Sequence, residues 1–325
     1  MLHPPRDRES PQRIGFLLLP KFSMMCLLSA IEPLRGANRT LGYAAYSWHF
    51  WSIDGAPVAA SNGIPIAPEA SIDEVHDFPA IAVLASYEPM AAVDRALLRW
   101  LRRRFREGSE IGGFETGTSV LAEAGLLSGR RVTLHWETLD AFRETYLDVD
   151  ARDSLFEIDD PVFTCSGATA AMDLMLHLIA RQHSDNVAAS VAEQFVHTEI
   201  RAAGVSQRMA ADRQAGVSEP DLVRVTETMR AHLENPLGLA ELASRCGLSK
   251  RRLERLFTRH LGVPPQRHYQ RMRLERARHL LRYSELAIGE VAVACGFGSA
   301  AWFARAYRAR YGHPPRVERE HANDA

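Results

Sequence analysis

The stretch from Leu239 to Pro315 contains one pattern twice, and it decides how the C-terminal part of the chain folds. The first copy, 239–265, is LAELASRCGLSKRRLERLFTRHLGVPP, and the second, 288–315, is IGEVAVACGFGSAAWFARAYRARYGHPP. Cys246-Gly247 corresponds to Cys295-Gly296 at an offset of 49 residues, whereas the closing proline pairs are 50 apart. One residue is therefore inserted near the start of the second helix of the second copy. A repeat at fixed spacing predicts two similar structural units.

Each copy predicts two short helices joined by a sharp turn. In the first copy, Gly247 follows the last apolar turn and suits a left-handed helix exit. Ser249 can cap the next helix, which begins with Lys250-Arg251-Arg252. The second copy repeats this order with Gly296 and Ser299. A short helix, a glycine turn and a helix with an exposed basic start indicate a helix-turn-helix, and residues 268–282 predict a longer helix between the copies.

The second copy resembles the DNA-binding domain of the AraC/XylS family of transcription regulators. The matching text is I-x-E-V-A-x-x-C-G-F, then a serine, F-x-R-A-Y and Y-G-x-x-P, and the resemblance covers about the last 90 residues. It implies that the second helix of each copy enters a major groove. Carried over by position, it implies DNA contacts from Ser249, Lys250, Arg251, Arg252, Glu254 and Arg255 of the first copy and from Ser299, Ala300, Ala301, Ala304 and Arg305 of the second.

The alanines of the second copy depart from the family pattern, which is often polar there. We therefore expect the first recognition helix to carry more of the base readout. The second is expected to fix register and to touch thymine methyl groups.

Charge separates the two parts of the chain. Residues 237–325 hold 17 arginines and lysines against 8 acidic residues, whereas the whole chain has a net charge of −1. The C-terminal part is thus basic and the remainder acidic, which favours binding of DNA phosphates by the former. The alternative is that the arginines form a solvated helix face. Arginine usage is general here, because Lys21 and Lys250 are the only lysines.

Composition excludes several classes of protein. No run of about 18 apolar residues could span a membrane, and the first dozen residues lack the apolar stretch of a signal peptide. The four cysteines are scattered, which predicts buried thiols in a cytoplasmic protein. The thirteen histidines show no ligand spacing, so we expect neither a metal nor a cofactor.

The N-terminal part alternates short apolar strands with amphipathic helices. Strands are predicted at 13–19, 46–53, 81–85, 111–114, 131–135 and 162–165, and helices at 23–38, 91–106, 118–124, 137–145, 168–181 and 184–201. This order predicts an α/β fold, a flavodoxin-like parallel sheet sandwich, followed by the all-α double helix-turn-helix domain. Ligands of such sheets bind at the carboxyl ends of the strands.

One strand end carries a candidate site. Gly113-Phe114-Glu115-Thr116-Gly117 leads directly from a strand into a helix, and glycines around one residue predict a tight elbow that exposes its side chain. Another predicted strand ends in His135-Trp136. Residues 12–200 resemble the class I glutamine amidotransferase-like superfamily, PfpI type, in which the elbow is G-x-C-x-G and a histidine completes a Cys-His pair.

Two departures from that resemblance argue against catalysis. The elbow residue is Glu115 instead of cysteine, and a carboxylate is a poor nucleophile toward an amide carbonyl. Many relatives carry an acid on the first helix, and Cys26 stands at that place. Cys26 is an alternative nucleophile, although its apolar neighbours favour a packing role. We therefore predict no catalytic residues.

Glu115 is instead predicted to bind a ligand. The dipole of the following helix stabilises a negative charge, which suits a cationic small molecule, and Trp136 could add a cation–π contact. The predicted ligand-binding set is Glu115, Thr116, His135, Trp136 and Cys26. The alternative is that Glu115 only caps its helix and His135 is structural.

The two domains together resemble the GlxA-type regulators, several of which sense arginine, carnitine or betaine-type amines. The expected organisation is a sensing domain at 12–200, a linker at 201–220 and the DNA-binding domain at 221–320. The expected partners are double-stranded promoter DNA, a small-molecule effector and a second copy of the chain, with RNA polymerase as a further candidate. Two other functions stay open: a PfpI-like hydrolase or amidotransferase with an accessory basic domain, and a nucleoid-type binder without a ligand.

Overall fold

The computed structural model describes residues 10–207 and 219–323, and the chain divides into two compact units, 1–207 and 208–325. The strands of the first unit are β1 (Gln12–Leu18), β2 (Tyr46–Ser52), β3 (Val58–Ala59), β4 (Pro65–Ile66), β5 (Ala70–Ser71), β6 (Ala80–Ala85), β7 (Glu110–Glu115), β8 (Arg131–Val132), β9 (Asp150–Ala151), β10 (Phe156–Asp159) and β11 (Val162–Cys165). Its helices are α1 (Met24–Leu41), α2 (Arg95–Arg106), α3 (Gly117–Glu123), α4 (Trp136–Thr145), α5 (Ala170–Gln182) and α6 (Asp185–Gln194).

A seven-stranded sheet in the order β10-β11-β7-β6-β1-β2-β5 forms the centre of this unit. The pairings are parallel except at the edge, where β10 runs antiparallel to β11. One face packs against α1, α5 and α6, and the other packs against α2, α3 and α4. Both faces are thus covered, and the predicted parallel sheet sandwich is confirmed.

Several predicted boundaries were wrong for identifiable reasons. The strand predicted at 131–135 is only Arg131–Val132, and it pairs with β9 in a separate two-stranded sheet. Helix α2 begins at Arg95 because the carboxylate of Asp94 caps it by accepting from the backbone N–H of Leu97 at 2.8 Å. Helix α6 ends at Gln194 instead of continuing to residue 201, and Val196 has a φ of 54° that no helix accepts.

The second unit is all helical over the residues that the structure describes. Its helices are α7 (Pro220–Arg230), α8 (Leu239–Arg245), α9 (Lys250–Leu261), α10 (Pro265–Tyr283), α11 (Ile288–Ala294), α12 (Ala300–Tyr311) and α13 (Pro315–Asn323). The pairs α8–α9 and α11–α12 are the two predicted helix-turn-helix copies. Helix α10 is the predicted longer helix between them.

The predicted linker, residues 201–220, is described only at its ends. Residues 201–207 belong to the first unit, residues 208–218 lie outside the described part, and α7 begins at Pro220. The proposed domain boundaries therefore remain a prediction. In the described parts of the chain, no helix is long and apolar enough to cross a membrane, and no three His, Cys, Asp or Glu side chains form a metal-binding group.

Candidate functional site

The two helix-turn-helix copies have the same turn chemistry. The hydroxyl of Ser249 accepts from the backbone N–H of Arg252, and that of Ser299 accepts from Trp302, both at 3.2 Å. Gly247 and Gly296 adopt φ values of 64° and 70°, which glycine accepts without a Cβ clash. Each serine oxygen therefore caps the helix that its sequence position predicted.

The recognition helices α9 and α12 present different surfaces. The exposed residues of α9 include Lys250, Arg251, Glu254 and Arg255, whereas α12 exposes Ala300, Ala301 and Arg305 and leaves Ala304 partly exposed. Their inner faces are buried through Leu253 and Phe257 in α9 and through Phe303 and Tyr307 in α12. The geometry leaves these predicted contact residues on solvent-facing positions, with the charge concentrated on α9.

Arg252 differs from its neighbours on α9. Its guanidinium binds the carboxylate of Asp221 on α7 at 2.5 Å, and Arg224 binds the other oxygen of the same carboxylate at 2.5 Å. Arg252 therefore joins α9 to α7, and it shares the single negative charge of Asp221 with Arg224. Among the predicted DNA contacts of α9, it is the one with a structural partner on another helix.

Two arginines that sequence reasoning missed hold the turns in place. Arg224 of α7 donates to the carbonyl of Cys246 at 2.9 Å, and Arg273 of α10 donates to the carbonyl of Cys295 at 2.8 Å. The two arginines are 49 residues apart, the same offset as the cysteines. Each bond satisfies a carbonyl at the end of the first helix of a copy, which has no partner within the helix.

The closing helix of each copy repeats a second contact. Tyr269 donates its hydroxyl to the carbonyl of His232 at 2.6 Å and accepts from the backbone N–H of Leu237 at 3.4 Å. Arg319, the corresponding residue of the second copy, donates to the carbonyls of Leu281 and Leu286. The repeat thus extends beyond the quoted stretch: each copy includes the helix before it and the helix after it, and α10 serves both copies.

The elbow of the first unit requires its glycines. A Cβ on Gly113 would lie 2.7 Å from backbone atoms of Thr118, and a Cβ on Gly117 would lie 2.1 Å from the carbonyl oxygen of Val83. Between them, Glu115 has a φ of 53°. The hydroxyl of Thr116 donates to the carbonyl of Ser86 at 2.7 Å, which ties the elbow to the loop after β6.

The elbow pattern predicted an exposed side chain, and this prediction was wrong, because Glu115 is buried. Its relative exposure is 6% because the turn at Gly167–Ala168 covers it. The backbone N–H of Ala168 donates to a carboxylate oxygen of Glu115 at 3.2 Å. A Cβ on Gly167 would lie only 1.8 Å from Cγ of Glu115, so the turn and the side chain are in direct contact.

Two buried thiols, those of Cys26 and Cys165, lie near enough to this carboxylate to feel its charge. Burial, then the charge of Glu115, then Cys165 raise the pKa of Cys26 well above its usual value. Burial and the charge of Glu115 also raise the pKa of Cys165, although the N–H of Gly167 donates to its sulfur at 3.3 Å and acts in the opposite direction. Both thiols therefore stay protonated near pH 7, and a protonated thiol is a poor nucleophile.

Strained backbone marks the carboxyl edge of the sheet. Lys21, Glu88, Glu115 and Ala168 all have positive φ values, from 46° to 62°. They end or follow β1, β6, β7 and β11, which are neighbours in the sheet. A non-glycine residue in this region costs about 1–3 kcal/mol, and such residues cluster at ligand sites and switches. The observation favours this edge, where parallel sheets bind ligands, as the functional one.

His135 and Trp136 follow Thr133, whose carbonyl binds a residue of α3 next to the elbow. Their rings are 5.6 Å apart, and Nδ1 of His135 lies 3.8 Å from a carboxylate oxygen of Glu137. In residues 10–207, no hydrogen bond or ion pair joins His135 to Glu115. The connection is indirect, since the hydroxyl of Thr118 on α3 donates to the carbonyl of Thr133 at 2.9 Å.

Comparisons with known proteins match both halves of the chain. Residues 12–181 match the DJ-1/PfpI family and residues 242–321 match a helix-turn-helix domain. The chain is 46% identical over 308 residues to the HTH-type transcriptional regulator CdhR of Pseudomonas aeruginosa, covering 95% of this chain and 91% of that protein. It is 42% identical over 317 residues to the regulator GbdR of the same species, covering 98% and 86%.

A solved structure supports the fold of the first unit. The crystal structure of an AraC family transcriptional regulator from Pseudomonas putida is 25% identical, with a TM-score of 0.53, and it covers 57% of this chain and 100% of that one. The chain therefore belongs to the GlxA-type family of HTH-type transcriptional regulators, in which a DJ-1/PfpI domain precedes an AraC-type helix-turn-helix domain.

Proposed function

We propose that the protein binds a specific promoter sequence through α9 and α12 and that a small cationic metabolite controls this binding at the carboxyl edge of the sheet. The observation that carries the first part is the duplicated turn. In each copy a serine caps the recognition helix, and an arginine at the same offset binds the carbonyl that ends the preceding helix. A rigid pair of helices is what reading two successive major grooves requires.

Base readout is assigned mainly to α9. Arg255 is exposed on this helix and forms no ion pair within residues 10–207 and 219–323, so its guanidinium is available for a guanine edge. Ala300 and Ala301 on α12 offer only methyl groups, which suit thymine. The hydroxyl oxygens of Ser249 and Ser299 accept the capping hydrogen bonds of their helices. Their proposed role is therefore to present the helix N-terminus to a phosphate.

The substitution Arg255→Ala tests this assignment. We expect it to weaken binding to the preferred duplex by about 1–3 kcal/mol more than binding to random DNA. The preferred duplex is first selected with the unaltered protein from a random library, and affinities are measured by fluorescence anisotropy at fixed salt. Arg259→Ala is the matched control, because it removes an equally exposed charge from the end of the same helix. Equal losses on all sequences would make Arg255 a phosphate contact.

The sensing part of the proposal rests on the strained edge around Glu115. Its carboxylate is covered by the Gly167–Ala168 turn, so a ligand reaches it only when that turn moves. A cationic group could then replace the N–H of Ala168 as the partner of the carboxylate. Thr116 lies on the elbow and is proposed to line the site with His135 and Trp136, whereas Cys26 is buried below it.

A carboxylate role for Glu115 can be tested with amines. We expect an amine that raises the melting temperature of the unaltered protein to lose most of that effect in Glu115→Gln, because the amide keeps the shape and removes the charge. The screen uses arginine, carnitine and glycine betaine in a thermal-shift assay. Glu137→Gln is the control, since it removes an acid that lies next to His135. An amine that stabilises both variants equally would show that Glu115 does not bind it.

The proposal excludes amidotransferase and protease chemistry. Glu115 stands where the nucleophile would be, and the raised pKa of Cys26 keeps the alternative thiol protonated. We further propose that the protein acts in the cytoplasm as a homodimer on paired half-sites, where it can affect RNA polymerase. The ligand would act by binding one arrangement of the protein better than the other.

A further inference from the structure

The last described residues of the first unit are fastened to it by polar contacts. Helix α6 ends at Gln194, and residues 197–207 then run along the unit to the point where the chain leaves it. Ile200 and Val205 in this segment are 38% and 44% exposed, so apolar burial contributes little to holding it. A backbone bond from the N–H of Leu155 to the carbonyl of Ala203 at 2.9 Å holds its middle. Its side-chain attachments are two groups of hydrogen bonds, one around Asp173 and one around Gln207.

Asp173 is the first attachment. It lies on α5 with no exposed surface, and its carboxylate accepts from the backbone N–H of Arg201 at 2.8 Å and from the guanidinium at 3.0 and 2.6 Å. Nε2 of His197 lies 3.0 Å from the same carboxylate. The guanidinium also donates to the hydroxyl of Thr169 at 2.9 Å. A buried carboxylate needs such partners, so this contact is specific to the geometry of α5.

Gln207 is the second attachment. Its side-chain amide donates to the carbonyls of Leu134 and Ser154 and lies 3.1 Å from the hydroxyl of Thr133. Its backbone N–H donates to the carboxylate of Asp153 at 3.3 Å. These bonds hold the end of the segment against the peptides that immediately precede His135.

Short series of contacts connect both attachments with the surroundings of Glu115. Thr169 follows Ala168, whose N–H binds Glu115, and Asp173 lies one helical turn further along α5. On the other side, Thr133 accepts through its carbonyl from Thr118, which is close to the elbow on α3. Thr169, which follows this turn directly, is one of the partners of Arg201, so the turn and the first attachment share a residue neighbour.

We propose that residues 197–207 form a polar strap, fastened at Asp173 and Gln207, which loosens when the Gly167–Ala168 turn moves away from Glu115. Its purpose rests on the proposed sensing function, because the strap joins that site to the chain that continues toward the DNA-binding unit. The segment itself buries little apolar surface, which favours local opening, whereas release of the buried carboxylate of Asp173 opposes it, so the position of α5 controls the opening. The contacts themselves involve neither DNA nor a ligand.

Amide hydrogen exchange of the full chain tests the strap. In Glu115→Ala the N–H of Ala168 loses its acceptor, and we expect the amides of Arg201 and Gln207 to exchange about tenfold faster together with it, the order of one charge-assisted hydrogen bond. Glu137→Ala, which removes an acid near His135 that does not bind the turn, should leave all three amides unchanged. Faster exchange at Ala168 with unaltered rates at Arg201 and Gln207 would overturn the proposal.

A substitution at the other end of the proposed connection covers the case in which Glu115→Ala does not fold. Gln207→Leu removes the side-chain bonds of the second attachment and leaves the backbone bond to Asp153. We expect faster exchange at Arg201 and Ala168, and an unchanged rate at both would also overturn the strap. Neither measurement needs a bound amine. Failure of the amine screen would therefore leave the strap standing, and failure of the exchange result would leave the screen unaffected.

Discussion

Replacing Gly296 with alanine is expected to destabilise the DNA-binding unit by about 3 kcal/mol or more and to abolish specific binding. A Cβ at this position would lie 2.5 Å from the carbonyl oxygen of Glu234, 2.7 Å from that of Leu233 and 2.7 Å from Cδ of Pro236. Two of these atoms belong to backbone, which cannot give way as a flexible side chain can. The φ of 70° adds the cost of a left-handed conformation.

The clash matters for function because residues 233–236 belong to the first copy. The second turn packs directly on them, so Gly296 helps to set the distance between α9 and α12. If the turn is pushed away, the two helices cannot both reach their grooves. Gly296→Ala should therefore lose affinity even at temperatures where the unit is still folded.

Gly247→Ala is the matched control for this prediction. Gly247 has nearly the same φ, 64°, but nothing lies within 4 Å of the position of its Cβ. We expect a loss of only about 1–2 kcal/mol, from backbone strain alone. Denaturant unfolding and anisotropy titrations on the preferred duplex give both quantities. If the two alanine variants lose the same stability and affinity, the packing of the second turn on residues 233–236 does not fix the relative position of α9 and α12.

The sequence was sufficient to predict the repeat, because its signals are local. Gly247, Ser249 and the apolar spacing of α9 each act within a few residues, and the structure has them where the pattern placed them. The elbow is local only in part. Gly113 is required by its contact with Thr118, five residues away, whereas Gly117 is required by the carbonyl of Val83 on the adjacent strand.

Contacts between distant residues could not be predicted from one sequence. Nothing near Arg224 or Arg273 indicates that their guanidinium groups reach Cys246 and Cys295, although the shared offset of 49 was available as a signal. The burial of Glu115 was missed because the covering turn lies more than fifty residues away along the chain. Residues 197–201 were predicted as helix because the polar contact with Asp173, which holds them in another path, is not local.

The copies also differ at one pair of contacting positions, which the offset of 50 residues identifies. In the second copy, the hydroxyl of Tyr307 donates to Glu318 at 2.9 Å. In the first copy, Phe257 and His268 stand at the corresponding positions, and their rings are 5.4 Å apart. Burial lowers the pKa of His268, so it stays neutral near pH 7. The second copy therefore depends on a buried charge where the first depends on ring packing.

Glu318→Gln is expected to destabilise the second copy by about 2 kcal/mol at pH 7, because the buried carboxylate loses its charge-assisted bonds to Arg278 and Arg282, whose side chains are both 38% exposed. Glu318 is 2% exposed on α13, and its carboxylate binds Arg278 at 3.0 Å and Arg282 at 2.5 Å, both on α10. These bonds tie the closing helix to the helix that both copies share. The measurement is urea unfolding, followed by hydrogen exchange of amides in α12.

The effect should depend on pH with a defined sign. Burial alone would raise the pKa of Glu318, but the hydrogen bonds from Arg278, Tyr307 and Arg282 outweigh it, and the folded pKa is lowered. A carboxylate with a lowered folded pKa contributes stability above its unfolded pKa of about 4.3, and this contribution is lost as the pH falls through the folded value. The difference between Glu318→Gln and the unaltered protein should therefore shrink below about pH 4.

Glu320→Gln provides the control on the same helix. Glu320 pairs with Arg316 at 2.7 Å, but both side chains are exposed, at 51% and 81%. An exposed pair contributes about 0–1 kcal/mol, so the substitution should have little effect at either pH. If Glu320→Gln were as destabilising as Glu318→Gln, the loss would reflect the net charge of α13. A loss of stability confined to Glu318→Gln would instead show that the buried carboxylate on α13 holds α12 in place against α10, the helix that both copies share.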